Sequence, residues 1–483
     1  MSAPSPGGRP SPSDRSGPAV ADPDHYPEVH AVLIPAGPER RRGVRAFAAW
    51  DGGMSAFNSI ILTFVFVTYV TSGVAASGVT GDEAVAEART HGANVVSAAQ
   101  TAGAVLIALL APLLGNLADA GGRRNLLLRV FTLATIVVIA SMVFVREDPD
   151  YLWLGAALIA IAMVLSELAG VFVNSVLPQI STPENRGRVS GTAWAIGYWG
   201  SILSLALVLV LFVMPGTGLL GLPAEDGWNL RAIPLFVALW ILVLTIPLMR
   251  RAPAMPRQIG AERWTPWQGY ADIGRRLVRA FRQEPVMLHF LIASAIYRDG
   301  LGAIFSLAAV IAAAAYGFDT TDVIFFGIAA NLVAGTGVFL GGKADDRFGT
   351  RRVIIAGCAA IIVLGIGVVL VHSELAFWIG GLAICLFVGP IQSASRNLLT
   401  RLSDPGRETE NFGLYAMTGR AMGFLGTGAF SLAVLLTGDV RFGMVGIIVV
   451  LALGLLAFLP ARLGEAGMSQ RTLAGAPRNP DAA

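Results

Sequence analysis

Long apolar stretches recur along the chain and are separated by short polar loops. A helix needs about 20 mostly apolar residues to cross a bilayer, and most of these stretches reach that length. We predict twelve membrane-spanning helices, at residues 46–71, 93–118, 125–145, 151–176, 189–214, 231–249, 286–314, 321–342, 353–371, 375–398, 411–436 and 441–460. The predicted fold class is therefore an all-α polytopic membrane protein.

Composition agrees with this fold class and limits the chemistry. Apolar residues make up 54% of the 483 positions and charged residues only 14%, which is too little charge for a soluble surface of ordinary size. The two cysteines, Cys358 and Cys385, lie in apolar stretches, so a disulfide framework and a thiolate metal site are excluded. We expect no cofactor, no metal ion, no nucleic-acid partner and a monomeric chain.

The only lysine, Lys343, ends a stretch that begins at Gly337 and has the spacing of an ATP-binding phosphate loop. Ala344 stands where a magnesium-binding hydroxyl is required, and the stretch ends a membrane helix instead of joining a strand to a helix. The catalytic motifs of zinc proteases, dithiol oxidoreductases and serine hydrolases are also missing from the sequence. The sequence therefore predicts neither an ATP-driven pump nor an enzyme, and transport would be driven by gradients.

Basic residues are concentrated on one side of the predicted bundle. Of the 35 lysines and arginines, 29 fall in the two tails, in the alternate loops on the same side, or in the span ends that adjoin those loops. The opposite loops hold only Arg89, Arg146, Arg231 and Arg441. Because loops rich in arginine and lysine stay in the cytoplasm, we predict that both termini are cytoplasmic and that the protein lies in the cell membrane.

The longest loop divides the chain into two halves of six spans each. We predict a disordered tail at 1–43, six-helix bundles at 44–249 and 286–460, a linker at 250–285, and a disordered tail at 461–483. In the linker, apolar residues between positions 267 and 281 occupy one helix face and arginines between 275 and 282 the opposite face. This pattern favours a basic amphipathic helix on anionic lipids of the inner leaflet, and a solvated connector is the alternative.

A motif with the spacing G-x-x-x-D-x-x-G-x-R follows span 2 and recurs, 227 residues later, after span 8. Its members are Gly115, Asp119, Gly122 and Arg124 in the first copy and Gly342, Asp346, Gly349 and Arg351 in the second. A second set of residues, from Glu184 to Gly200, recurs after 226 residues from Glu410 to Gly426. The two halves are therefore parallel repeats, as in one large class of transporters.

With this repeated motif, the chain resembles the major facilitator superfamily over about residues 44–460. A closer resemblance, to the vacuole-effluxer branch of autophagy-related amino-acid exporters and their bacterial relatives, is found in short segments. These segments are 50–57, 177–178, 187–191, 197–198, 297–300, 392–396 and 410–415. The resemblance implies alternating access, an amino-acid substrate and a cytoplasmic gate formed by the two motif copies.

An aspartate at the inner membrane edge has a physical role available to it in such a gate. It can cap the N-terminus of a neighbouring helix and pair with loop arginines, through bonds that break when the inner side opens. We therefore expect Asp119 and Asp346 to act as gate residues. Static stapling of the loops is the alternative.

Ionisable side chains inside a span cost a few kcal/mol or more, so each of them marks a candidate site for substrate or protons. Asp51 and Asp299 lie in the cytoplasmic third of spans 1 and 7, and Asp51 shares a helix face with Asn58. Glu167 shares a face of span 4 with Asn174 and lies near mid-depth. We predict that Glu167 is the carboxylate that couples transport to protons, and a structural ion pair or helix capping is the alternative for these acids.

Two arginines also lie deeper within spans. Arg420, in span 11, either holds a substrate carboxylate in a bidentate fork or neutralises a buried acid. Arg298 adjoins Asp299 but points about 100° away from it on an ideal helix, so we predict a packing or gate residue.

These features favour a secondary transporter that moves a small solute by alternating access, with an amino acid exported under proton coupling as the preferred reading. An exporter of drugs, sugars or organic acids is the alternative within transport, and it would show a wide apolar cavity and no need for Arg420. A non-transporting membrane scaffold or receptor is the alternative from another class, and the polar residues inside the spans argue against it.

Overall fold

A computed structural model describes residues 34, 36–214, 218–223, 225–251, 274, 285–371, 373–404 and 406–460, and these contain twelve helices long and apolar enough to cross a membrane. In chain order the spans are Pro38–Val74, Asp82–Gly121, Arg124–Phe144, Pro149–Ile180, Arg186–Val213, Trp228–Arg251, Val286–Tyr316, Phe325–Phe348, Thr350–Leu370, Glu374–Leu402, Glu408–Thr437 and Val440–Phe458. Each overlaps its predicted counterpart, and no β-strand occurs among the described residues, so the predicted fold class is confirmed. Most of both predicted tails and the predicted amphipathic linker helix lie outside the described residues.

Two spans begin earlier than the apolar pattern predicts. Span 1 begins at Pro38, inside the predicted disordered tail, and span 2 begins at Asp82 instead of 93. Proline suits the first position of a helix because its missing N–H has no partner there. Asp82 and Glu83 lie in the first turn of span 2, where the helix dipole stabilises negative charge. The apolar pattern detects the membrane-crossing part of a helix but not its polar extension.

Each half is a bundle of its own six spans, and the two bundles pack in corresponding ways. Span 1 packs against spans 5 and 6, and span 7 packs against spans 11 and 12. Between the halves, span 2 packs against the first part of span 11, and span 8 packs against span 5. In the sequence repeat, span 2 corresponds to span 8 and span 5 corresponds to span 11. The contact between spans 2 and 11 therefore has its counterpart in the contact between spans 8 and 5.

The two halves meet at one end of the bundle. We call the side where span 1 begins and span 12 ends the terminal side. The first part of span 11, Glu408–Ala421, lies toward this side and packs against span 2. The second part, Leu425–Thr437, packs against spans 7 and 12 of its own half. The halves are therefore closed against each other at the terminal side and diverge toward the opposite side.

Glycines of the repeated motif permit this closure. A Cβ added at Gly115 would lie 2.5 Å from the carbonyl oxygen of Thr409, and a Cβ at Gly342 would lie 2.7 Å from a backbone carbonyl oxygen of span 5. Both distances are too short for a side chain, so the helices touch backbone to backbone. Gly122 and Gly349, later in the motif, have φ values of 60° and 90°, which L-residues with side chains rarely adopt. The motif thus encodes close contact between the halves and a sharp turn into the next span.

Candidate functional site

A cavity of about 630 Å³ lies between the two halves, a volume suited to a small solute. All six polar or ionisable residues predicted as substrate or proton candidates line it, namely Asp51, Asn58, Glu167, Asn174, Asp299 and Arg420. Two further arginines, Arg298 and Arg396, also line it. Three carboxylates and three arginines from spans of both halves therefore face one space.

Helix geometry places the candidates of span 1 on this wall. Asp51, Ser55 and Asn58 follow the predicted spacing along one face, and all three line the cavity. From Phe57 to Phe64 the helix widens to π-helical hydrogen bonding, and the Asn58 side chain there is exposed. Such widened turns occur often at functional sites in helices.

Asp51 forms an ion pair across the halves with Arg396 of span 10. Arg396 Nη1 lies 3.0 Å from Asp51 Oδ2 and 3.1 Å from Asn174 Oδ1. The same guanidinium donates from Nε to the Ser190 hydroxyl at 3.0 Å and from Nη2 to the Ser190 carbonyl at 2.8 Å. The Arg396 side chain is only 5% exposed and that of Asp51 15%. All three guanidinium nitrogens of a C-terminal-half residue are thus bound by the N-terminal half.

Arg396 is the site residue that the sequence-based prediction missed. It lies close to residue 398, the predicted end of span 10, so its charge was attributed to the terminal-side loops. The helix continues to Leu402, and this extension puts Arg396 inside the bundle. Its guanidinium carbon also lies 5.1 Å from the ring centre of Phe47 and 5.7 Å from that of Trp194. The usable signal was its place at the end of segment 392–396, one of those on which the family resemblance is based.

A second ion pair joins the halves beside the first. Arg420 Nη2 of span 11 lies 2.9 Å from Glu167 Oε2 of span 4. The side chains of Arg420 and Glu167 are 34% and 35% exposed, and neither makes another hydrogen bond within the described residues. In this conformation Arg420 therefore neutralises Glu167, which is one of the two roles predicted for it.

Span 11 is interrupted where it passes the cavity. Its helix ends at Ala421 and resumes at Leu425. Asp299 Oδ2 accepts a hydrogen bond from the Gly426 N–H at 2.6 Å, at the start of the second part, and Arg420 lies in the last turn of the first part. The dipole of the second part favours a carboxylate at its N-terminus, and the dipole of the first part favours a guanidinium at its C-terminus. The acid of span 7 is thus held within its own half, unlike the corresponding acid of span 1.

Arg298, predicted to be a packing or gate residue, lies on the cavity wall. Its guanidinium carbon is 3.7 Å from the ring centre of Tyr415, and Nη1 lies 3.5 Å from the Tyr415 carbonyl oxygen. Among the residues that the structure describes, no carboxylate lies within ion-pair distance of Arg298. Its guanidinium packs on an aromatic ring, and the Glu167 carboxylate attracts it only from beyond ion-pair distance.

The aspartates of the repeated motif reach across to the other half on the terminal side. Asp346 accepts the N–H groups of Gly187 and Arg188, at the start of span 5, at 2.8 and 3.0 Å. Asp119 accepts the Glu410 N–H, at the start of span 11, at 2.8 Å. Each carboxylate thus caps the first turn of a helix that belongs to the opposite repeat.

The arginines of these loops have other partners. Arg188 Nε lies 3.8 Å from Asp346, but the Arg188 side chain is 61% exposed, so this contact adds little. Arg124 is buried and donates to Gln179 Oε1, at the end of span 4, at 2.6 Å. Arg351 donates at 2.8 Å to the backbone carbonyl that follows span 12. Arg124 and Arg351 thus donate these hydrogen bonds within their own halves, and Arg124 also lies close enough to Glu408 of the opposite half for their charges to attract.

The chemistry available in the cavity is recognition of charge. Within the described residues, no group of three or more histidine, cysteine, aspartate or glutamate side chains could hold a metal ion. Guanidinium, carboxylate and amide groups instead offer donors and acceptors for a small charged or zwitterionic solute.

Comparison with known proteins agrees with this architecture. A family model described as "Vacuole effluxer Atg22 like" matches residues 90–466. An uncharacterized MFS-type transporter of Bacillus subtilis, YxiO, is 22% identical over 422 residues, which cover 86% of this chain and 94% of that protein. Autophagy-related protein 22 of Cryptococcus neoformans is 27% identical over 290 residues, which cover 55% of this chain, and the chain spans only 50% of that fungal relative.

A solved structure supports the fold independently. The major facilitator transporter FucP, in its outward conformation, superposes with a TM-score of 0.64 at 14% identity and covers 89% of this chain and 99% of its own. Proteins of this superfamily move solutes across membranes, so the protein is a multi-pass membrane transporter and not an enzyme. The chain belongs to the vacuole effluxer Atg22-like family of the major facilitator superfamily.

Proposed function

We propose that the protein exports an amino acid across the cytoplasmic membrane in exchange for protons. Both termini lie in the cytoplasm in this proposal, which the concentration of arginines in the terminal-side loops supports. The terminal side is then the inner side, and the conformation described above is closed inward and open outward.

The observation on which the proposal rests is the ion pair between Glu167 and Arg420. Its two charges come from different halves, lie 2.9 Å apart and are each about one-third exposed to the cavity. The ammonium group of an amino acid can separate such a pair, because it can replace Arg420 as the donor of charge-assisted hydrogen bonds to the Glu167 carboxylate. A drug-like apolar solute carries no charged group that could replace either partner of this pair.

Proton coupling follows from competition for Glu167. An ionised carboxylate accepts hydrogen bonds from an ammonium group, whereas a protonated one has lost the negative charge and donates a hydrogen bond itself. A proton and an amino-acid ammonium group therefore exclude each other at Glu167. Mutually exclusive binding is the condition for exchange, in which proton entry from outside drives amino-acid exit.

The gate contacts supply the alternation in this proposal. Asp119 and Asp346 connect the halves at the terminal side. Opening that side requires the hydrogen bond of Asp119 to span 11 and those of Asp346 to span 5 to break. The Asp51–Arg396 pair lies in the same closed region and would have to separate as well. Substrate would then reach the cavity from the cytoplasm.

The test is flux in proteoliposomes under an imposed pH gradient, with a panel of radiolabelled amino acids. We expect the Glu167→Gln variant to lose uphill movement driven by the pH gradient while retaining exchange of substrate down its own gradient, with a raised KM because the amide carries no charge for the ammonium group. Glu374→Gln, which removes an exposed glutamate at the start of span 10, is the matched control and should behave as the unaltered protein. Uphill accumulation by Glu167→Gln would show that Glu167 is a structural partner of Arg420 only.

A further inference from the structure

We propose that Arg298 is the residue that binds the substrate carboxylate. The inference rests on the proposed transport of an amino acid, and it starts from a difference among the three cavity arginines. Arg396 uses all three of its nitrogens on acceptors of the N-terminal half, and Arg420 is paired with Glu167. Arg298 alone has no carboxylate within ion-pair distance among the described residues.

The way Arg298 is held leaves its donors available. A guanidinium is planar, and its five N–H groups point outward in that plane. Stacking on the Tyr415 ring, at 3.7 Å, uses the face of this plane and not its edges. The only hydrogen bond of the side chain within the described residues is long, 3.5 Å from Nη1 to the Tyr415 carbonyl. One edge of the fork can therefore receive both oxygens of a carboxylate.

The carboxylates of the cavity do not supply that partner. Asp51 is paired with Arg396, Glu167 with Arg420, and Asp299 with the helix start at Gly426. A solute that carries its own carboxylate would compensate Arg298. Its ammonium group would then bind Glu167, which lines the same cavity and is close enough to Arg298 for their charges to attract. Aromatic rings of Trp50, Trp194, Tyr198, Phe412 and Tyr415 also line the cavity. They suit an amino acid with a large apolar side chain.

The experiment compares three probes that share a phenylethyl skeleton, on the purified protein in detergent. L-Phenylalanine carries both charged groups, 3-phenylpropionate lacks the ammonium group, and phenethylamine lacks the carboxylate. Binding is measured by isothermal titration calorimetry. We expect the unaltered protein to bind L-phenylalanine and 3-phenylpropionate, and Arg298→Gln to bind both about 10- to 100-fold more weakly, the range expected for loss of a charge-assisted bidentate contact. Its affinity for phenethylamine should stay within about threefold of the unaltered protein, because that probe has no carboxylate to lose.

Two variants separate this role from a structural one. Arg298→Lys keeps the positive charge but not the planar fork, so it should fold normally and recover only part of the affinity for the carboxylate probes. Arg352→Gln removes an exposed arginine outside the cavity and should change nothing. Monodisperse elution of each variant from a sizing column reports folding.

The outcomes distinguish the inference from the proposed function. If the protein binds 3-phenylpropionate but not L-phenylalanine, and Arg298→Gln loses that binding, then Arg298 is a carboxylate site and the amino-acid assignment fails. If Arg298→Gln keeps its preference for carboxylate probes, or if Arg420→Gln loses that preference instead, the assignment to Arg298 is wrong. Failure of the unaltered protein to bind either carboxylate probe would also overturn it.

Discussion

Two ion pairs in the cavity connect the halves of this transporter, and they differ in how completely the arginine is surrounded. Arg396 is enclosed by Asp51, Asn174 and Ser190 and is only 5% exposed. Among the described residues, Arg420 hydrogen-bonds only to Glu167, and its side chain is 34% exposed. Removing one partner from an enclosed pair leaves a buried charge without compensation. In an exposed pair, water screens the attraction between the charges, so the pair contributes little to stability. We infer that the Asp51–Arg396 pair holds the terminal side closed and that the Glu167–Arg420 pair stays open to exchange with substrate charges.

The strongest test of this difference is to remove each arginine in turn. Arg396→Gln leaves Asp51 buried without its partner, so we expect a loss of about 3–5 kcal/mol in the free energy of unfolding. Arg420→Gln should lose about 1 kcal/mol or less, because solvent already screens that pair. Thermal unfolding in detergent, followed by tryptophan fluorescence, measures both.

A double variant separates lost charge compensation from lost packing. Asp51→Asn combined with Arg396→Gln removes both charges, so it should recover part of the stability that Arg396→Gln loses. Equal stability of the Arg396→Gln and Arg420→Gln variants would show that the two pairs do not differ as their burial indicates.

The second test opens the terminal side without substituting a residue of either ion pair. Gly115→Ala places a methyl group 2.5 Å from the Thr409 carbonyl oxygen, so spans 2 and 11 cannot close there. The closed conformation should become the minor one. A buried cysteine at the gate, Thr409→Cys, should then react at least about tenfold faster with a maleimide, provided that Cys358 and Cys385 are replaced by alanine.

The matched control for Gly115→Ala is Gly327→Ala in span 8. A Cβ at Gly327 meets no atom within 4 Å, so the label should react at the rate of the parent chain. Equal labelling of the Gly115→Ala and Gly327→Ala chains would mean that the helices shift aside and that Gly115 does not limit closure.

The spans could be predicted from the sequence because the length of an apolar stretch determines whether a helix can cross a bilayer. Their polar ends could not, since the charged residues from Asp82 onward carry no apolar signal. Helix periodicity likewise sufficed to place Asp51 and Asn58 on one face. It could not pair Asp51 with Arg396, because that contact joins positions 345 residues apart and depends on how the halves dock.

The break in span 11 could not be predicted from the sequence either. Gly423 and Gly426 are compatible with a continuous helix that packs closely, and the segment contains no proline. The structure explains the interruption, because the Asp299 carboxylate accepts the Gly426 N–H, which has no partner within the helix at the start of the second part. A carboxylate from a neighbouring span, and not a local signal, stabilises this conformation.

The smallest expected effect comes from the gate aspartates, where a charge can be removed and the hydrogen-bond acceptor kept. Asp119→Asn retains a carbonyl oxygen for the Glu410 N–H but loses the attraction between a carboxylate and the helix start, about 0.5–1.5 kcal/mol. Asp346→Asn should cost more, because Asp346 accepts two N–H groups where Asp119 accepts one and an asparagine can serve only one of them well.

We therefore expect transport in proteoliposomes to slow by about two- to tenfold for Asp119→Asn and further for Asp346→Asn, at normal expression and stability. Both chains should also show faster maleimide labelling at Thr409→Cys than the parent, though slower than the Gly115→Ala chain. If flux and labelling are unchanged in both, the motif aspartates staple their loops statically, and closure of the terminal side depends on the glycine contacts and the Asp51–Arg396 pair alone.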